Sequence, residues 1–283
     1  MLCAMIMFAA ADACAKLLTA SFHPVQIMWS RQLALLLVVV FLLLRHGPAI
    51  LKTTRTGLQI GRGALAVCSG LLFIYAVKFV PLADAVAASF VAPFFLTMMG
   101  AFFLGEKVGI RRWSAVVIGF IGALIIVRPG MGVIHPAAML VVIAAGFYAA
   151  RQITGRLLAD TDSTITTICY TGITASLLTT LPLPFVWQWP DTSSQLMLLV
   201  AMSLLAGTGE ILVIRALEVS EAVVLAPIHY TLIIWGTIYG YLIFNQLPDL
   251  WTWLGTTIIV AAGIYTLHRD VKSRAEADAQ TLQ

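Results

Sequence analysis

Long apolar stretches separated by short polar breaks run along almost the whole chain. The breaks fall at clusters of polar residues, proline or glycine, and the stretches between them are continuous, as in 33–44 and 115–127. Continuous apolar runs of about 20 residues are typical of membrane-spanning helices. The pattern predicts ten spans, at approximately 1–20, 24–44, 58–79, 82–104, 112–127, 136–158, 163–186, 194–217, 220–244 and 249–267.

The surroundings of these segments should therefore be lipid. A bilayer admits only helices or closed barrels, because every backbone polar group must be satisfied internally, and barrel strands would alternate with a period of two. The runs do not alternate, so we predict an all-α integral membrane protein whose first span is retained rather than cleaved as a signal peptide. No loop is long enough to fold as a domain, which places the function within the membrane.

Composition narrows the classes of function. Of 283 residues, 60% are hydrophobic and 11% are charged, against roughly a quarter charged in soluble domains. These values exclude a large soluble globule, a disordered chain and nucleic-acid binding as the main task. The four cysteines lie inside apolar runs, where we interpret them as buried structural thiols. Their spacing does not suit a metal site or a disulfide scaffold, and no cofactor is expected.

The basic residues predict the orientation in the membrane. With the N-terminus placed in the cytoplasm, loops on that side hold 12 of the 17 Lys and Arg residues and the opposite loops hold only Lys78 and Arg128. Cytoplasmic loops carry such an excess in membrane proteins. Both termini are therefore predicted to be cytoplasmic. The 12 are Arg45, Lys52, Arg55, Arg62, Lys107, Arg111, Arg112, Arg156, Arg215, Arg269, Lys272 and Arg274.

The two halves of the chain match each other at an offset of 140 residues. Identical pairs and similar turns recur at this offset, although chance similarity between apolar helices is the alternative. We predict a first five-helix repeat at 1–135, a second at 136–268 and a polar cytoplasmic tail at 269–283. Because five is odd, the second repeat must be inverted, as is common in secondary transporters. Matching pairs are Ala76 with Ala216, Thr97 with Thr237, Gly100 with Gly240 and Trp113 with Trp253.

Several motifs resemble the drug/metabolite transporter superfamily in its EamA-type branch of ten-helix carriers. They are Pro24…Arg31, Pro81-Leu82-Ala83-Asp84-Ala85, Ala92-Pro93…Leu104-Gly105-Glu106, and Pro227-Ile228-His229-Tyr230-Thr231…Trp235…Gly240. The resemblance covers almost the whole chain and is greatest to YddG-type exporters of aromatic and other neutral amino acids. It implies export of small neutral metabolites across a bacterial inner membrane by alternating access. The chain departs from the pattern at His229, where a glutamate is usual.

Polar residues inside the spans are the candidates for substrate binding, because ionisable groups there usually face a wet cavity or the bundle interior. Glu210 and His229 are predicted at similar depth on consecutive spans, where they could pair to hold a substrate ammonium, carry a proton or only fix helix packing. Small and polar residues repeat on one face of spans three, four, eight and nine. These faces predict either a central cavity or packing grooves. Ser89 belongs to this set.

Aromatic, proline and glycine residues complete the predicted site. Rings deep in the spans could stack on a substrate or pack in the core, and a proline within a span produces a kink that is either static or a hinge. The aromatic candidates are Tyr75, Tyr148, Tyr230 and Trp235. The hinge or gating candidates are Pro93, Pro227, Gly100 and Gly240.

Four other charged groups inside the spans have predicted roles. Asp12 and Lys16 are four residues apart and are expected to neutralise each other. Arg31 is expected to extend to the interface or to cap a helix. Arg151 is expected either to reach the cytoplasmic surface or to attract a carboxylate in the cavity.

The sequence thus favours a secondary transporter whose partners are the lipid bilayer and a small-molecule substrate. No Walker-type nucleotide motif is present, and protons as a coupling ion stay an open alternative. A multidrug or other metabolite exporter of the same superfamily is a second hypothesis. An intramembrane enzyme is a weaker one, because neither paired aspartates nor a serine nucleophile motif occurs in the spans, and no filter-like loop indicates a channel.

Overall fold

A computed structural model describes residues 1–106, 108–128, 135–219, 225 and 228–281, and these residues form helices joined by short turns. Five helical segments of the described residues are long and apolar enough to cross a membrane by length and composition, and shorter apolar helices accompany them. The helices are α1 (Leu2–Leu18), α2 (Pro24–His46), α3 (Thr56–Val77), α4 (Leu82–Ser89), α5 (Ala92–Phe103), α6 (Ile110–Val127), α7 (Ala138–Ala159), α8 (Thr164–Thr180), α9 (Leu183–Val186), α10 (Ser193–Val219), α11 (Thr231–Phe244) and α12 (Leu250–Thr281).

The helix boundaries repeat at the offset predicted from the sequence. The start of α2 at Pro24 corresponds to that of α8 at Thr164, 140 residues later. Both helices begin after a capping side chain: His23 accepts a hydrogen bond from the Val25 amide, and Ser163 accepts one from the Thr166 amide. Such caps satisfy amides that the first turn leaves without partners. The starts of α6 and α12, at 110 and 250, differ by the same number.

The ends of α5 and α11 repeat a more specific feature. Gly105 and Asn245, which follow these helices, have left-handed backbones with φ of 66° and 52°. In each case the next amide, of Glu106 or Gln246, donates to a carbonyl six residues earlier, at 3.2 and 3.1 Å. This closure requires a residue that tolerates positive φ, which glycine and asparagine do. The shared turn is additional evidence for the repeat, because it depends on backbone conformation and not on hydrophobicity.

The packing of the helices is that of two inverted repeats around a pseudo-two-fold axis. The α3 helix packs on α7 and α8 as α10 packs on α1 and α2, and α5 packs on α7 as α11 packs on α1. Helices that correspond to each other also pair directly, α2 with α8 and α6 with α12, and α4 of the fourth span packs on α11 of the ninth. The ten-span architecture with two inverted five-helix repeats is therefore confirmed. The boundaries 1–135, 136–268 and 269–283 stay predictions.

The backbones of α6 and α12 cross at close range. A Cβ atom built at Gly122 would lie 2.9 Å from the Gly255 carbonyl oxygen, and one built at Gly255 would lie 2.5 Å from that of Gly122. Only glycine allows backbones to approach so closely. The contact is reciprocal, as expected where two equivalent helices meet at a pseudo-two-fold axis.

Two buried clusters form the core. The larger surrounds α4 and includes side chains of α6, α7, α11 and α12, and the smaller lies among α1, α2, α3 and α10. We call the face of the bundle at which the chain begins the proximal face, and the opposite one the distal face. The ends of α2, α5, α7 and α10 then lie at the proximal face, and those of α1, α3, α6 and α11 at the distal face.

The structure corrects several details of the sequence interpretation. The fourth span is two helices, because the backbone tightens at Phe90 and Val91, whose amides bond three residues back. Arg62 lies inside α3 rather than in a loop. The last helix continues to Thr281 through the segment predicted as a tail. Of the thiols interpreted as buried, Cys3 and Cys68 are exposed.

Candidate functional site

Five polar side chains from four helices come together in the proximal half of the bundle. At about 1.5 Å of rise per residue, they lie roughly 9 to 17 Å from the proximal ends of α3, α7, α8 and α10. We call this set the proximal charged cluster. Its members are Arg62, Tyr148, Arg151, Thr171 and Glu210.

Arg62 is the member with the most interactions. Its guanidinium donates a hydrogen bond to the Thr171 hydroxyl, which itself donates to the Thr167 carbonyl at 2.7 Å. The Arg62 charge also interacts with Glu210 and Arg151. The Nε atom of Arg62 is buried without a hydrogen-bond partner in the structure. One N–H group of the guanidinium is therefore bound to α8, while the Nε–H group can donate to another acceptor.

Arg151 is the second cation of the cluster. Its guanidinium lies 5.6 Å from the centre of the Tyr148 ring, within the range of a cation–π contact. Its Nε is also buried without a partner. Two guanidinium groups near each other repel unless an anion lies between them. The pair is therefore suited to bind a carboxylate, for which the guanidinium fork is well shaped.

Glu210 supplies the opposite charge. It interacts with Arg62 across the cluster, but within the described residues it forms no ion pair at 4 Å or less. Its carboxylate can therefore accept hydrogen bonds from a ligand ammonium. The arrangement combines two donors for a carboxylate with one acceptor for an ammonium, which are the two charged groups of an α-amino acid.

His229 does not pair with Glu210, although the sequence predicted that it could. Its ring instead lies edge-on to Phe90, with centroids 5.7 Å apart. Tyr230 stacks on the same Phe90 ring, with centroids 5.0 Å apart. We call these three rings the aromatic group. The aromatic group thus lies where α4 ends and α11 begins, near mid-span. Trp235, one turn further along α11, has a buried indole N–H without a partner.

The remaining predicted site residues are spread over the bundle. Ser89 donates to the Val86 carbonyl at 2.7 Å and ends α4. Tyr75 is 46% exposed near the distal end of α3, against Phe79, and not deep in the bundle as predicted. Pro93 occupies the first turn of α5, where no helical bond is lost. Pro227 lies outside the described residues.

Gly100 and Gly240 are the residues whose carbonyls accept the closing amides of Glu106 and Gln246. They therefore lie in the last turns of α5 and α11. A hinge role for either, and for Pro93 or Pro227, stays a prediction.

The faces of small residues serve close helix packing. Cβ atoms built at Gly63 and Gly70 would lie 2.6 Å from Thr174 and 2.7 Å from Met28. Gly207 contacts Ala34, and Gly236 contacts Val86. Of the two interpretations of these faces, the structure supports packing grooves at these glycines.

Asp12 and Lys16 are not partners, which corrects the sequence prediction. Asp12 binds Arg31 of α2, with Nη1 and Oδ1 2.6 Å apart, so Arg31 neither reaches the interface nor caps a helix. Lys16 donates to the Val80 carbonyl at 2.5 Å and lies 5.2 Å from the centre of the Phe244 ring. The interhelical ion pair was missed because sequence spacing reports only contacts within one helix.

At the distal face, Arg128 binds Asp249 with a separation of 2.5 Å. Partial burial would raise the pKa of Asp249, but hydrogen bonds from the Thr252 amide and from Arg128 outweigh it and hold that pKa below its usual value. The pair joins the end of α6 to the start of α12.

Arg62 is the functional candidate that sequence reasoning missed. Its position at the edge of an apolar run led to a loop assignment. A usable signal was present, because Arg62 lies within the predicted span at 58–79. It is also next to Gly63, which belongs to the face of small residues in that span.

Comparison with known proteins identifies the family. The profile of the EamA-like transporter family matches residues 1–128 and again residues 135–267. The chain belongs to this family. The double match agrees with the structural repeat, and it places the chain in the drug/metabolite transporter superfamily that its motifs resemble. The chain is therefore a multi-pass membrane transporter that handles a small-molecule substrate.

Relatives carry different names. The chain is 25% identical to an S-adenosylmethionine uptake transporter of Rickettsia prowazekii, over 93% of this chain and 89% of the relative. It is 31% identical to a riboflavin transporter of Vibrio cholerae, over 80% and 76%. It is 26% identical to the pseudopaline exporter CntI of Pseudomonas aeruginosa, over 91% and 90%. These names include both uptake and export.

A solved crystal structure matches 97% of this chain and 98% of its own, with a TM-score of 0.61 and 16% sequence identity. At that identity the likeness concerns the fold alone.

Proposed function

We propose that this transporter carries small solutes with an α-amino-acid group, such as aromatic or other neutral amino acids, by alternating access. The observation that supports this is the proximal charged cluster, in which Arg62 and Arg151 each have an unpartnered Nε atom, and Glu210, which interacts with Arg62, has no ion pair among the described residues. The arginines would bind the solute carboxylate, and Glu210 would bind its ammonium.

The aromatic group near mid-span would receive the side chain of the solute. His229, Phe90 and Tyr230 contact each other at 5.0 to 5.7 Å and lie deeper than the charged cluster. An apolar or aromatic solute side chain could extend toward them and pack against the rings. S-adenosylmethionine has an α-amino-acid group and a purine ring, so a relative named for it is compatible with this proposal.

In the cell, we propose a bacterial inner-membrane location with both termini in the cytoplasm, so that the proximal face is cytoplasmic. The excess of basic residues in the proximal loops supports this orientation. Export is the direction that the resemblance to amino-acid exporters implies. The chain lacks a Walker-type motif, so the gradients of solute and any coupled ion would drive the flux.

Counterflow in liposomes tests the proposal. Purified protein is reconstituted in vesicles loaded with unlabelled phenylalanine, methionine or S-adenosylmethionine, and uptake of the same labelled compound is followed. We expect saturable counterflow with at least one of them. Saturable counterflow of riboflavin alone would contradict the proposed recognition of an α-amino-acid group, and unsaturable flux would indicate a channel.

A further inference from the structure

A buried carboxyl group lies at the opposite end of the bundle from the proximal charged cluster. Asp84, the third residue of α4, is only 6% exposed, and its Oδ1 atom has no hydrogen-bond partner in the structure. Thr252 of α12, which is 1% exposed, faces this carboxyl group. The proposed recognition of the solute assigns no role to Asp84.

The cations that could neutralise Asp84 are bound elsewhere. Among the described residues, the charged groups that act on it are Lys16 of α1, Arg128 at the end of α6 and Asp249 before α12, and the packed faces of α3, α7 and α11 add none. Lys16 donates to the Val80 carbonyl, and Arg128 binds Asp249. Neither cation forms an ion pair with Asp84 within 4 Å.

The burial of Asp84 depends on tight packing of the distal half. Next to it in α4, Ala83 lies close to Gly240 of α11, and one turn further Val86 contacts Gly236. A carrier that alternates its access must separate such contacts on one side in part of its cycle. Separation of α4 from α11 would bring water to Asp84, whereas closure would remove it.

A buried carboxylate without a paired charge is costly, and binding a proton removes the charge. We propose that Asp84 is a proton-binding site whose occupation accompanies closure of the distal half. Proton uptake at Asp84 and closure then favour each other, since a ligand that prefers one conformation shifts the population toward it. Transport should therefore require protons, and the proton binds at Asp84 rather than at Glu210 or His229.

Infrared difference spectroscopy of the purified full-length protein tests this site without any solute. Spectra recorded between about pH 5 and about pH 9, where exposed carboxyl groups are ionised, should contain a protonated-carboxyl band that Asp84→Asn removes. Glu106→Gln is the control, because Glu106 is 42% exposed at the opposite face of the bundle, where it binds Arg156. That variant should keep the band. A band that persists in Asp84→Asn overturns the proposal.

Solute exchange provides the second measurement, and it depends on the proposed function. Counterflow of labelled S-adenosylmethionine or phenylalanine, at equal pH on both sides, should fall by up to about tenfold per pH unit above a midpoint. Asp84→Asn should abolish this dependence, while Glu106→Gln should keep it. Unchanged pH dependence in Asp84→Asn overturns the proposal.

If Asp84→Asn does not fold, Asp84→Glu and Thr252→Val should each shift the midpoint and the position of the band, and no shift in either overturns the proposal. Absence of counterflow with every solute counts against the proposed function only, because the infrared band still reports whether Asp84 binds a proton.

Discussion

Arg62 and Arg151 in the proximal half correspond, through the 140-residue repeat, to Met202 and Ala11 in the distal half. Both counterparts are completely buried in the smaller apolar cluster. Glu210 likewise corresponds to Gly70, which packs against Met28. The proximal positions thus carry charged side chains, whereas their distal counterparts pack in an apolar cluster, and the distal charges of Asp12 and Arg31 neutralise each other. The pseudo-symmetric backbone forms two equivalent regions, one in each half of the bundle, which we call half-sites. Because their side chains differ, only the proximal half-site has the groups that can bind a charged solute.

The largest effect is expected when a charge is placed in the apolar half-site. Met202→Arg would bury a guanidinium among apolar side chains, which costs about 3 kcal/mol, and should strongly lower the thermal stability of the detergent-solubilised protein. Met202→Leu, which nearly conserves volume, should change it little. Wild-type stability in Met202→Arg would contradict the assignment of this region as closed apolar packing.

Removing a cation from the charged half-site should affect transport most. A hydrogen bond to a charged group contributes about 1.5 to 3 kcal/mol, so Arg62→Ala should lower the apparent affinity for the solute by roughly 10- to 100-fold in counterflow. Arg156→Ala is the control, because Arg156 is 49% exposed and binds Glu106 at the proximal surface. Equal losses in both variants would indicate a general effect of charge at the proximal face.

Glu210→Gln should discriminate between solutes. It removes the proposed partner of the ammonium but keeps the shape of the side chain, so affinity for phenylalanine should fall by about tenfold. Affinity for phenylpropanoate, which lacks the ammonium, should stay the same. If both compounds lose affinity equally, Glu210 acts by holding Arg62 and not by contacting the solute. Competition for labelled phenylalanine gives both values.

The smallest effect is expected at the exposed pair Arg156–Glu106. Exposed ion pairs contribute at most about 1 kcal/mol, so Glu106→Gln should leave the thermal stability nearly unchanged and should not alter counterflow. A large loss of stability would show that the turn after α5 needs the charge of Glu106 and not only its backbone amide.

The sequence predicted the architecture well because hydrophobic run length and basic-residue bias are local quantities. The offset of 140 residues was visible in pairs such as Gly100 and Gly240, and the structure explains them as the ends of two equivalent helices. Breaking of the fourth span at Phe90 was less predictable. Pro93 signalled an irregularity, but only the packing of α4 and α5 against different neighbours shows that two helices are present.

The site was predicted less completely, since contacts between helices depend on rotation and register. Glu210 was found because a lone carboxylate in a span is conspicuous. Its neighbour proved to be Arg62 and not His229, and Asp12 proved to bind Arg31 and not Lys16. Arg151 was recognised as a possible carboxylate ligand, whereas the functional value of Arg62 emerged only when the structure brought it beside Thr171 and Glu210.

The most direct test of amino-acid recognition by the proximal charged cluster compares three ligands on two proteins. Inhibition of phenylalanine counterflow is measured for phenylalanine, phenethylamine, which lacks the carboxylate, and phenylpropanoate, in wild type and in Arg62→Ala. We expect wild type to prefer phenylalanine over phenethylamine by about tenfold or more, and Arg62→Ala to lose most of that preference. A preference that is unchanged in Arg62→Ala would contradict the assignment of the carboxylate to this cluster.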